Sequence, residues 1–434
     1  MAQLHDQPRY ACALGAMQTV QSIPRAIPVL HSGPGCAIKV GSGPGSSGTF
    51  SPNIFPCTSV SEKEVVFGGM DKLRATIANA LKVIDADLFV VLTGCTQELI
   101  GDDAAAVVEE FADAEKPVIL ANTPGFKGSN YEGHDWVLRA IFDSYLPPLP
   151  QKKDPLLVNL FSSPPQQDPF WLGNLRALEA LVSSLGLKPN TLFGFGRGVK
   201  NIDLIPQASY NILVSPWAGL DSARFLEQKY GAPLLHYPVL PIGAFESSQF
   251  LRAVGDFCHV ASKVTETVIA QKEAEYYYYI ERFADEFLEQ RIMSRRFACV
   301  ADAHYALSVT KFLVNDLGLF PAAVFIMDGT PERFRQGLTD EFQRLNYGVT
   351  SPVEFTVNAK EAHDKIRAIS FGGFPLIVGT SWERRLANEI GGFLVTLSNP
   401  LVERIVMNRH IAGFSGGLHL IEDIYTTSRE RLAL

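Results

Sequence analysis

Short apolar runs rich in β-branched residues recur along the chain, and a segment of helical spacing or a Gly/Pro turn follows each of them. Strands that are buried on both faces have this continuous apolar pattern, and strands that alternate with helices form parallel sheets. The pattern therefore predicts a repeated, doubly wound α/β architecture. Seven strands are predicted, at Asp87–Leu92, Pro117–Ala121, Leu156–Phe161, Tyr210–Val214, Phe297–Ala301, Ala322–Met327 and Pro375–Gly379.

Two segments divide this pattern into three units. Residues Pro147–Pro155 (PPLPQKKDP) are proline-rich and charged, which is typical of a linker. The tract Thr265–Arg295 contains no helix breaker, so it predicts one long helix, and a new strand is predicted to follow from Phe297. We therefore expect three Rossmann-like domains with parallel sheets, at 1–150, 151–295 and 296–434.

The composition limits the classes of partner. The chain has 434 residues, 47% of them hydrophobic and 10% aromatic, which is enough for several packed cores. A formal net charge of -8 argues against binding to nucleic acid or to an anionic membrane, since both need clustered lysine and arginine. The N-terminus does not resemble a signal peptide, and no apolar run is long enough to cross a bilayer. We expect a cytoplasmic protein with protein and small-molecule partners.

Common nucleotide, hydrolase and zinc motifs are missing from the sequence. Gly194–Gly198 (GFGRG) lacks the third glycine of a dinucleotide loop, and no GxxxxGK[ST] motif occurs, so we interpret this segment as a plain turn. If the activity uses ATP, another protein should bind it. Four histidines near glycine-rich or strand-end positions are interpreted as hydrogen-bonded structural residues: His31, His304, His410 and His419.

Three of the six cysteines lie in loop-like settings beside small residues, namely Cys12 (ACALG), Cys36 (HSGPGCA) and Cys95 (LTGCTQE). Thiolates are the preferred ligands of iron–sulfur clusters, and small neighbours let a cluster approach backbone N–H groups. Cys95 also follows a buried strand, at the end where open α/β sheets place ligands. These observations leave metal ligation and a structural role equally open. Cys258 and Cys299 lie in apolar segments and are interpreted as core thiols.

Longer segments carry a more specific pattern. Gly94–Trp136 contains a cysteine, then IGDD, then TPGFKGSNYEGHDW; HSGPGC and SEKEVVFGG stand upstream, RRFACVADAHYALSVTKFL and GFSGGLHLIEDI downstream. These segments resemble the β subunit of the molybdenum–iron protein in the nitrogenase component 1 family, over the whole chain and most closely over residues 8–136. The separations of 24 residues between Cys12 and Cys36 and of 59 between Cys36 and Cys95 resemble those of that subunit's cluster cysteines.

The resemblance implies a fold, a site and an activity. The fold would be the three-domain nitrogenase component 1 β-subunit type. Cys12, Cys36 and Cys95 would ligate an iron–sulfur cluster of the 8Fe–7S P-cluster type, or alternatively a 4Fe–4S cluster, with Cys36 as the bridging ligand and further thiolates from an α-like subunit. The chain would be an electron-relay subunit without catalytic residues of its own. Its complex would be an oxygen-sensitive, anaerobic α2β2 oxidoreductase that an ATP-dependent iron protein homodimer reduces.

Some features depart from the family pattern. Gly125 stands where those β subunits carry a serine that can ligate the oxidised cluster, so we expect Gly125→Ser to stabilise that state. The chain is shorter than those subunits and lacks the α-type cofactor motifs, which favours a nitrogenase-like reductase over dinitrogen reduction. It most resembles methylthio-alkane reductase, which releases thiols and small hydrocarbons from methylthio compounds. A cofactor-assembly scaffold and a tetrapyrrole reductase are the alternatives. Cys57, which the resemblance does not explain, is either a structural thiol or a fourth thiolate.

Overall fold

The computed structural model describes residues 10, 12–41, 55–148, 152–284 and 293–432. In these ranges twelve strands form three sheets, and all the paired strands are parallel. The predicted α/β class with parallel sheets is confirmed, and all seven predicted strands are present.

The three sheets follow one another along the chain. The first has the order β1-β2-β3, with β1 Ala26–His31, β2 Leu88–Thr93 and β3 Val118–Ala121. The second has the order β5-β4-β6-β7, with β4 Asp154–Phe161, β5 Lys188–Asn190, β6 Ala208–Val214 and β7 Leu234–Tyr237. The third has the order β10-β9-β8-β11-β12, with β8 Met293–Ala301, β9 Phe320–Ile326, β10 Val353–Phe355, β11 Phe374–Gly379 and β12 Phe393–Thr396.

Helices connect the strands and cover the sheets. In chain order they are α1 Met17–Gln21, α2 Pro34–Gly41, α3 Glu62–Phe67, α4 Met70–Val83, α5 Cys95–Ile100, α6 Ala104–Glu109, α7 Asn130–Ala140, α8 Trp171–Ser184, α9 Val199–Ile202, α10 Leu220–Tyr230, α11 Gly243–Phe257, α12 Ser262–Arg282, α13 Ala303–Asn315, α14 Glu332–Phe342, α15 Ala359–Arg367, α16 Arg384–Glu389 and α17 Gly413–Leu432. Short 3-10 helices lie at Ala13–Ala16, Ile205–Gln207, Asn346–Gly348 and Ser381–Glu383, and a π-helical turn at Ile141–Tyr145.

Burial on both faces explains the continuous apolar runs. In β2, Leu88, Val90 and Leu92 pack with α1 and α7 on one face. The alternate residues Phe89 and Val91 pack with α4 and α6 on the other. Since successive side chains of a strand point to opposite faces, both faces of a strand between two helical layers favour apolar residues.

The expected limits of one helix and one strand are wrong. The helix predicted over Thr265–Arg295 is α12, which spans Ser262–Arg282; residues 285–292 of the predicted tract lie outside the described residues. The strand predicted from Phe297 begins earlier, at Met293, which pairs with Phe374 of β11. Strand pairing is a long-range contact, so the local absence of helix breakers could not reveal it.

The proline-rich tract Pro147–Pro155 is only partly a connection, because β4 begins at Asp154. The last helix, α17, returns from the third sheet and packs against α8, α11 and α12, so the second and third units share one apolar core. The domain limits 1–150, 151–295 and 296–434 stay a prediction. None of the described helices combines the length and the apolar character needed to span a bilayer.

Candidate metal-cluster site

Cys12, Cys36 and Cys95 each lie at the start of a short helical segment. Cys12 is the N-cap of the 3-10 helix Ala13–Ala16, and Cys36 lies in the first turn of α2. Cys95 is the first residue of α5, which follows β2 almost directly. The first N–H groups of a helix have no intrahelical acceptor, so they favour negatively charged thiolates and sulfides nearby.

The structure brings these three cysteines together. A Cβ added to Gly125 would lie 2.2 Å from Cys12 Sγ and 3.3 Å from Cys95 Sγ, so both thiols lie against the same glycine. The Gly125 N–H also donates to Cys95 Sγ, at 3.1 Å. Burial raises the pKa of the Cys12 thiol; the Leu14 N–H opposes this shift, and the nearby thiols of Cys95 and Cys36 add to it.

The space at Gly125 changes one expectation. Any side chain there would overlap Cys12 Sγ unless the thiol rotates away, since a separation of 2.2 Å is far inside van der Waals contact. A serine at position 125 would therefore displace a neighbouring thiol as well as offer a hydroxyl. The expectation that Gly125→Ser stabilises an oxidised cluster stays a prediction, and the displacement of the Cys12 thiol is a second effect of the same substitution.

The end of β1 holds the Cys36 and Cys95 turns side by side. The His31 carbonyl oxygen accepts a hydrogen bond from the Gly94 N–H at 2.9 Å. Gly94 has no room for a side chain, because an added Cβ would lie 2.5 Å from Ser32 Oγ. The turn that leads from β1 to Cys36 and the turn that leads from β2 to Cys95 are thus in direct backbone contact.

A buried histidine–aspartate pair lies beside these turns, at the end of β1. His31 Nε2 lies 3.1 Å from Asp102 Oδ2, and His31 Nδ1 lies 3.2 Å from Thr58 Oγ1. The Gly69 N–H donates to both Asp102 oxygens, at 2.9 and 3.1 Å. Burial lowers the pKa of His31, whereas Asp102 raises it. This environment agrees with the interpretation of His31 as a structural histidine, but the sequence did not identify Asp102 as its partner.

The site opens onto the protein surface. Cys36 is exposed and Cys95 is partly buried; Cys12 is exposed as a whole residue, although its thiol packs against Gly125. Large apolar side chains on the same or adjoining segments are 54% to 81% exposed: Ile38, Val66, Phe67, Leu99 and Phe126. Several exposed apolar side chains close together in the fold are typical of surfaces that contact another protein.

The donor set fits an iron–sulfur cluster. Within the described ranges no group of three or more His, Cys, Asp or Glu side chains could hold a metal ion. That finding concerns single ions, whereas a cluster of several irons spreads its ligands over a larger distance. Three soft thiolates at an exposed edge, with backbone N–H groups beside them, suit such a cluster, and its remaining ligands must come from outside this set.

The family follows from comparison with known proteins. The family model described as "Nitrogenase component 1 type Oxidoreductase" matches residues 11–429. The chain belongs to this family. It is therefore an oxidoreductase of the nitrogenase component 1 type, as the resemblance implied.

Individual relatives of this nitrogenase component 1 type chain have low sequence identity to it but match most of its length. The nitrogenase molybdenum-iron protein beta chain of Methanococcus maripaludis is 24% identical over 448 residues, covering 95% of this chain and 92% of the relative. A light-independent protochlorophyllide reductase chain of Stigeoclonium helveticum is 23% identical over 384 residues, covering 85% and 73%. The solved structure "Nitrogenase Cp1 at pH 6.5" has a TM-score of 0.82 at 20% identity, covering 100% and 95%. The nitrogenase-like β-type family and its fold are confirmed.

The remaining cysteines of this nitrogenase component 1 type chain have different surroundings. The Cys57 thiol lies 3.5 Å from the Ser32 carbonyl oxygen, and the Ser59 N–H donates to it at 3.3 Å. Cys258 and Cys299 are buried in the apolar core, as expected. Burial raises the pKa of Cys258 to about 12 and raises that of Cys299 as well, so both stay neutral thiols.

Proposed function

We propose that this chain is the β-like subunit of a nitrogenase-like reductase, and that Cys12, Cys36 and Cys95 hold an iron–sulfur cluster at its interface with an α-like subunit. The observation that supports this most is the approach of the Cys12 and Cys95 thiols at Gly125, with Cys36 near enough to Cys12 to raise the pKa of that thiol, at an exposed edge with an incomplete ligand set. An interfacial cluster needs such a half-site from each partner. The assembly proposed is an α2β2 heterotetramer.

The residues of this chain would position and insulate the relay. When bound, an iron–sulfur cluster supplies one-electron redox chemistry. The Gly125 N–H donates to Cys95 Sγ, and a hydrogen bond to a cluster sulfur tunes the reduction potential. The exposed apolar side chains around the cysteines, such as Phe67 and Leu99, would exclude water once partner proteins cover them. Electrons would pass from an ATP-hydrolysing iron protein, through this site, to a cofactor in the α-like subunit.

The cluster type separates two forms of this proposal. We favour the 8Fe–7S P-cluster type over 4Fe–4S because of the resemblance to molybdenum–iron protein β subunits. The test is iron and acid-labile sulfide per complex, purified without oxygen together with the α-like subunit. About twice as much interfacial iron is expected for the double cube as for the single cube.

For the substrate, we propose methylthio compounds, as in methylthio-alkane reductase. A tetrapyrrole reductase is the second candidate, which the protochlorophyllide reductase relative at 23% identity supports. The purified complex, with its iron protein and ATP, should be assayed for thiol and hydrocarbon release and, separately, for tetrapyrrole reduction. Tetrapyrrole turnover by a complex with only 4Fe–4S iron would contradict the first proposal. A complex that transfers its cofactor to another protein and reduces neither substrate would be an assembly scaffold.

This complex should not bind ATP without its iron protein. The Gly194–Gly198 segment forms a surface turn in which Phe195 is 92% exposed. Arg197 pairs with Glu179 at 2.9 Å instead of facing a phosphate site. We expect calorimetric titration of ATP into the complex to give no measurable heat of binding, and titration after adding the iron protein to give a clear signal. A micromolar affinity without the iron protein would contradict this prediction.

A further inference from the structure

A small buried cavity lies where the three sheet-forming parts of the chain meet. Four of its lining residues follow the carboxyl ends of strands: Asp168 after β4, Trp217 after β6, Asp302 after β8 and Asp328 after β9. Tyr131 of α7, from the part of the chain that forms the first sheet, also lines the cavity. Open α/β sheets place ligands at this end of their strands. The cavity has a volume of about 20 Å³, which is room for roughly one water molecule.

Three carboxyl groups line the cavity, and no cationic side chain among its described lining residues balances their charge. Asp168, Asp302 and Asp328 are between 2% and 7% exposed. Lysine and arginine do not occur among the described residues that line the cavity. Tyr131 and Tyr305 add no charge of either sign, because burial and the nearby carboxylates raise the pKa of both hydroxyls and keep them neutral; toward Asp168, Tyr305 acts only as a hydrogen-bond donor. Several uncompensated buried charges are too costly to persist, so at least one carboxyl group should bind a proton.

Hydrogen-bond donors distinguish the three groups. Asp168 accepts from four donors, which are the Ser163, Tyr305 and Asn174 side chains and the Phe170 N–H. Asp328 also accepts from four, the Trp217 indole, the Ala303 and Thr330 N–H groups and the Thr330 hydroxyl.

Among the described residues, Asp302 accepts from two donors only, the Tyr305 N–H at 3.0 Å and the Ser398 hydroxyl at 2.5 Å. Its carboxylate form is therefore the least stabilised of the three. Burial raises the pKa of Asp302 to about 7, and the charges of Asp328 and Asp168 raise it in the same direction.

His304 faces the same cavity without a hydrogen-bond partner. In the described part of the chain neither of its ring nitrogens has one, although the residue is only 7% exposed. This differs from the hydrogen-bonded structural histidine expected from the sequence. Burial lowers the pKa of His304 to about 4, so the ring is neutral at pH 7 and does not offset the carboxylates. A neutral ring can donate through one nitrogen and accept through the other.

We propose that this junction is a proton-binding site, in which the Asp302 carboxyl group takes up one proton from solvent and a single water in the cavity links it to the His304 ring. The titratable groups that interact with Asp302 are Tyr131 from α7, Asp168 from the loop after β4, Cys299 from β8, Tyr305 from α13 and Asp328 from the loop after β9. Loss of the proton adds a negative charge at the contact between the units. The packing of the third unit on the other two therefore weakens as the pH rises through neutrality.

The sign of the stability change follows from the raised pKa. An Asp302 carboxyl with a pKa near 7 when folded, against about 3.9 when unfolded, contributes stability that is fully present below about pH 4 and is lost as the pH rises through 7. Asparagine has nearly the same shape as aspartate and cannot ionise, so Asp302→Asn should remove this loss of stability at high pH. Asparagine is also a good N-cap, so it should keep the start of α13 intact.

The experiment is infrared spectroscopy of the purified complex during a pH titration, with parent and variant subtracted. The buried acids Asp135, Glu246 and Asp316 also have a raised pKa and should contribute equally to both spectra. Burial raises the pKa of Asp168 as well, and Asp168 interacts with Asp302, so Asp168→Asn is measured beside Asp302→Asn to assign the band. We expect a carbonyl stretch of a protonated carboxyl group in the parent at about pH 6 that is absent from Asp302→Asn and disappears in the parent by about pH 9. At about pH 8 the variant should melt at a higher temperature than the parent.

Two further variants keep the test decisive. Asp423 is paired with Arg404 and Arg409, both at 2.8 Å, so Asp423→Asn should leave the protonated-carboxyl band unchanged. Ser398→Ala removes a donor to ionised Asp302 and should move the midpoint of the band to higher pH. A difference spectrum without a protonated-carboxyl band at position 302 would overturn the proposal. Loss of such a band in Asp168→Asn but not in Asp302→Asn would do the same.

Discussion

Replacing Cys36 by alanine should remove most of the cluster iron from the complex and weaken the association of this chain with its α-like partner. If Cys36 is the bridging ligand, its loss opens iron sites in both halves of a shared cluster. Cys36 lies in the first turn of α2, is exposed, and is near enough to Cys12 to raise the pKa of that thiol. Metal binding at a site built from two chains is coupled to their assembly, so the two losses should occur together.

The measurement is iron and sulfide per complex, with subunit stoichiometry, for each variant purified without oxygen. Cys258→Ala and Cys299→Ala are the matched controls, because both thiols are buried in the apolar core. Each should cost about 0.5–3 kcal/mol of stability through lost packing and leave the iron content intact. The cluster assignment would be wrong if Cys36→Ala kept full iron and activity while Cys258→Ala lost both.

The strands found from the sequence and those missed differ in their place in the sheets. The five missed strands, β1, β5, β7, β10 and β12, all lie at sheet edges, whereas six of the seven predicted strands lie inside a sheet. Edge strands have fewer neighbours and so need a less continuous apolar run. In β1 the run is broken by Pro28, a residue that sheets tolerate mainly at edges.

The candidate site shows a similar division. The spacing of Cys12, Cys36 and Cys95 was visible in the sequence because the resemblance supplied a pattern to compare. The pair His31–Asp102 was not visible, since its members are 71 positions apart and neither belongs to a local motif of paired side chains. The contact of Tyr305 with Asp168 spans 137 positions. Such partners become evident only when the strand ends have been placed together.

Gly125→Ala should disturb the cluster almost as strongly as loss of a ligand. The added methyl group would lie 2.2 Å from Cys12 Sγ, so the thiol has to rotate away from its position beside Cys95. Overpacking of this kind costs about 1–3 kcal/mol, and here a thiol at the proposed cluster would have to move. We expect a lower iron content and an altered electron paramagnetic resonance spectrum of the reduced complex.

Two comparisons separate the causes of this effect. Gly337→Ala, in the middle of α14, adds a methyl group with no atom within 4 Å, so it should leave the iron unchanged and stabilise the helix by about 0.5–1 kcal/mol. Gly125→Ser displaces the same thiol but adds a hydroxyl that can ligate iron. If the serine variant keeps iron that the alanine variant loses, the hydroxyl has replaced the displaced thiol as a ligand. If Gly125→Ala retains full iron and the parent spectrum, the Cys12 thiol does not ligate the cluster from its present position beside Gly125.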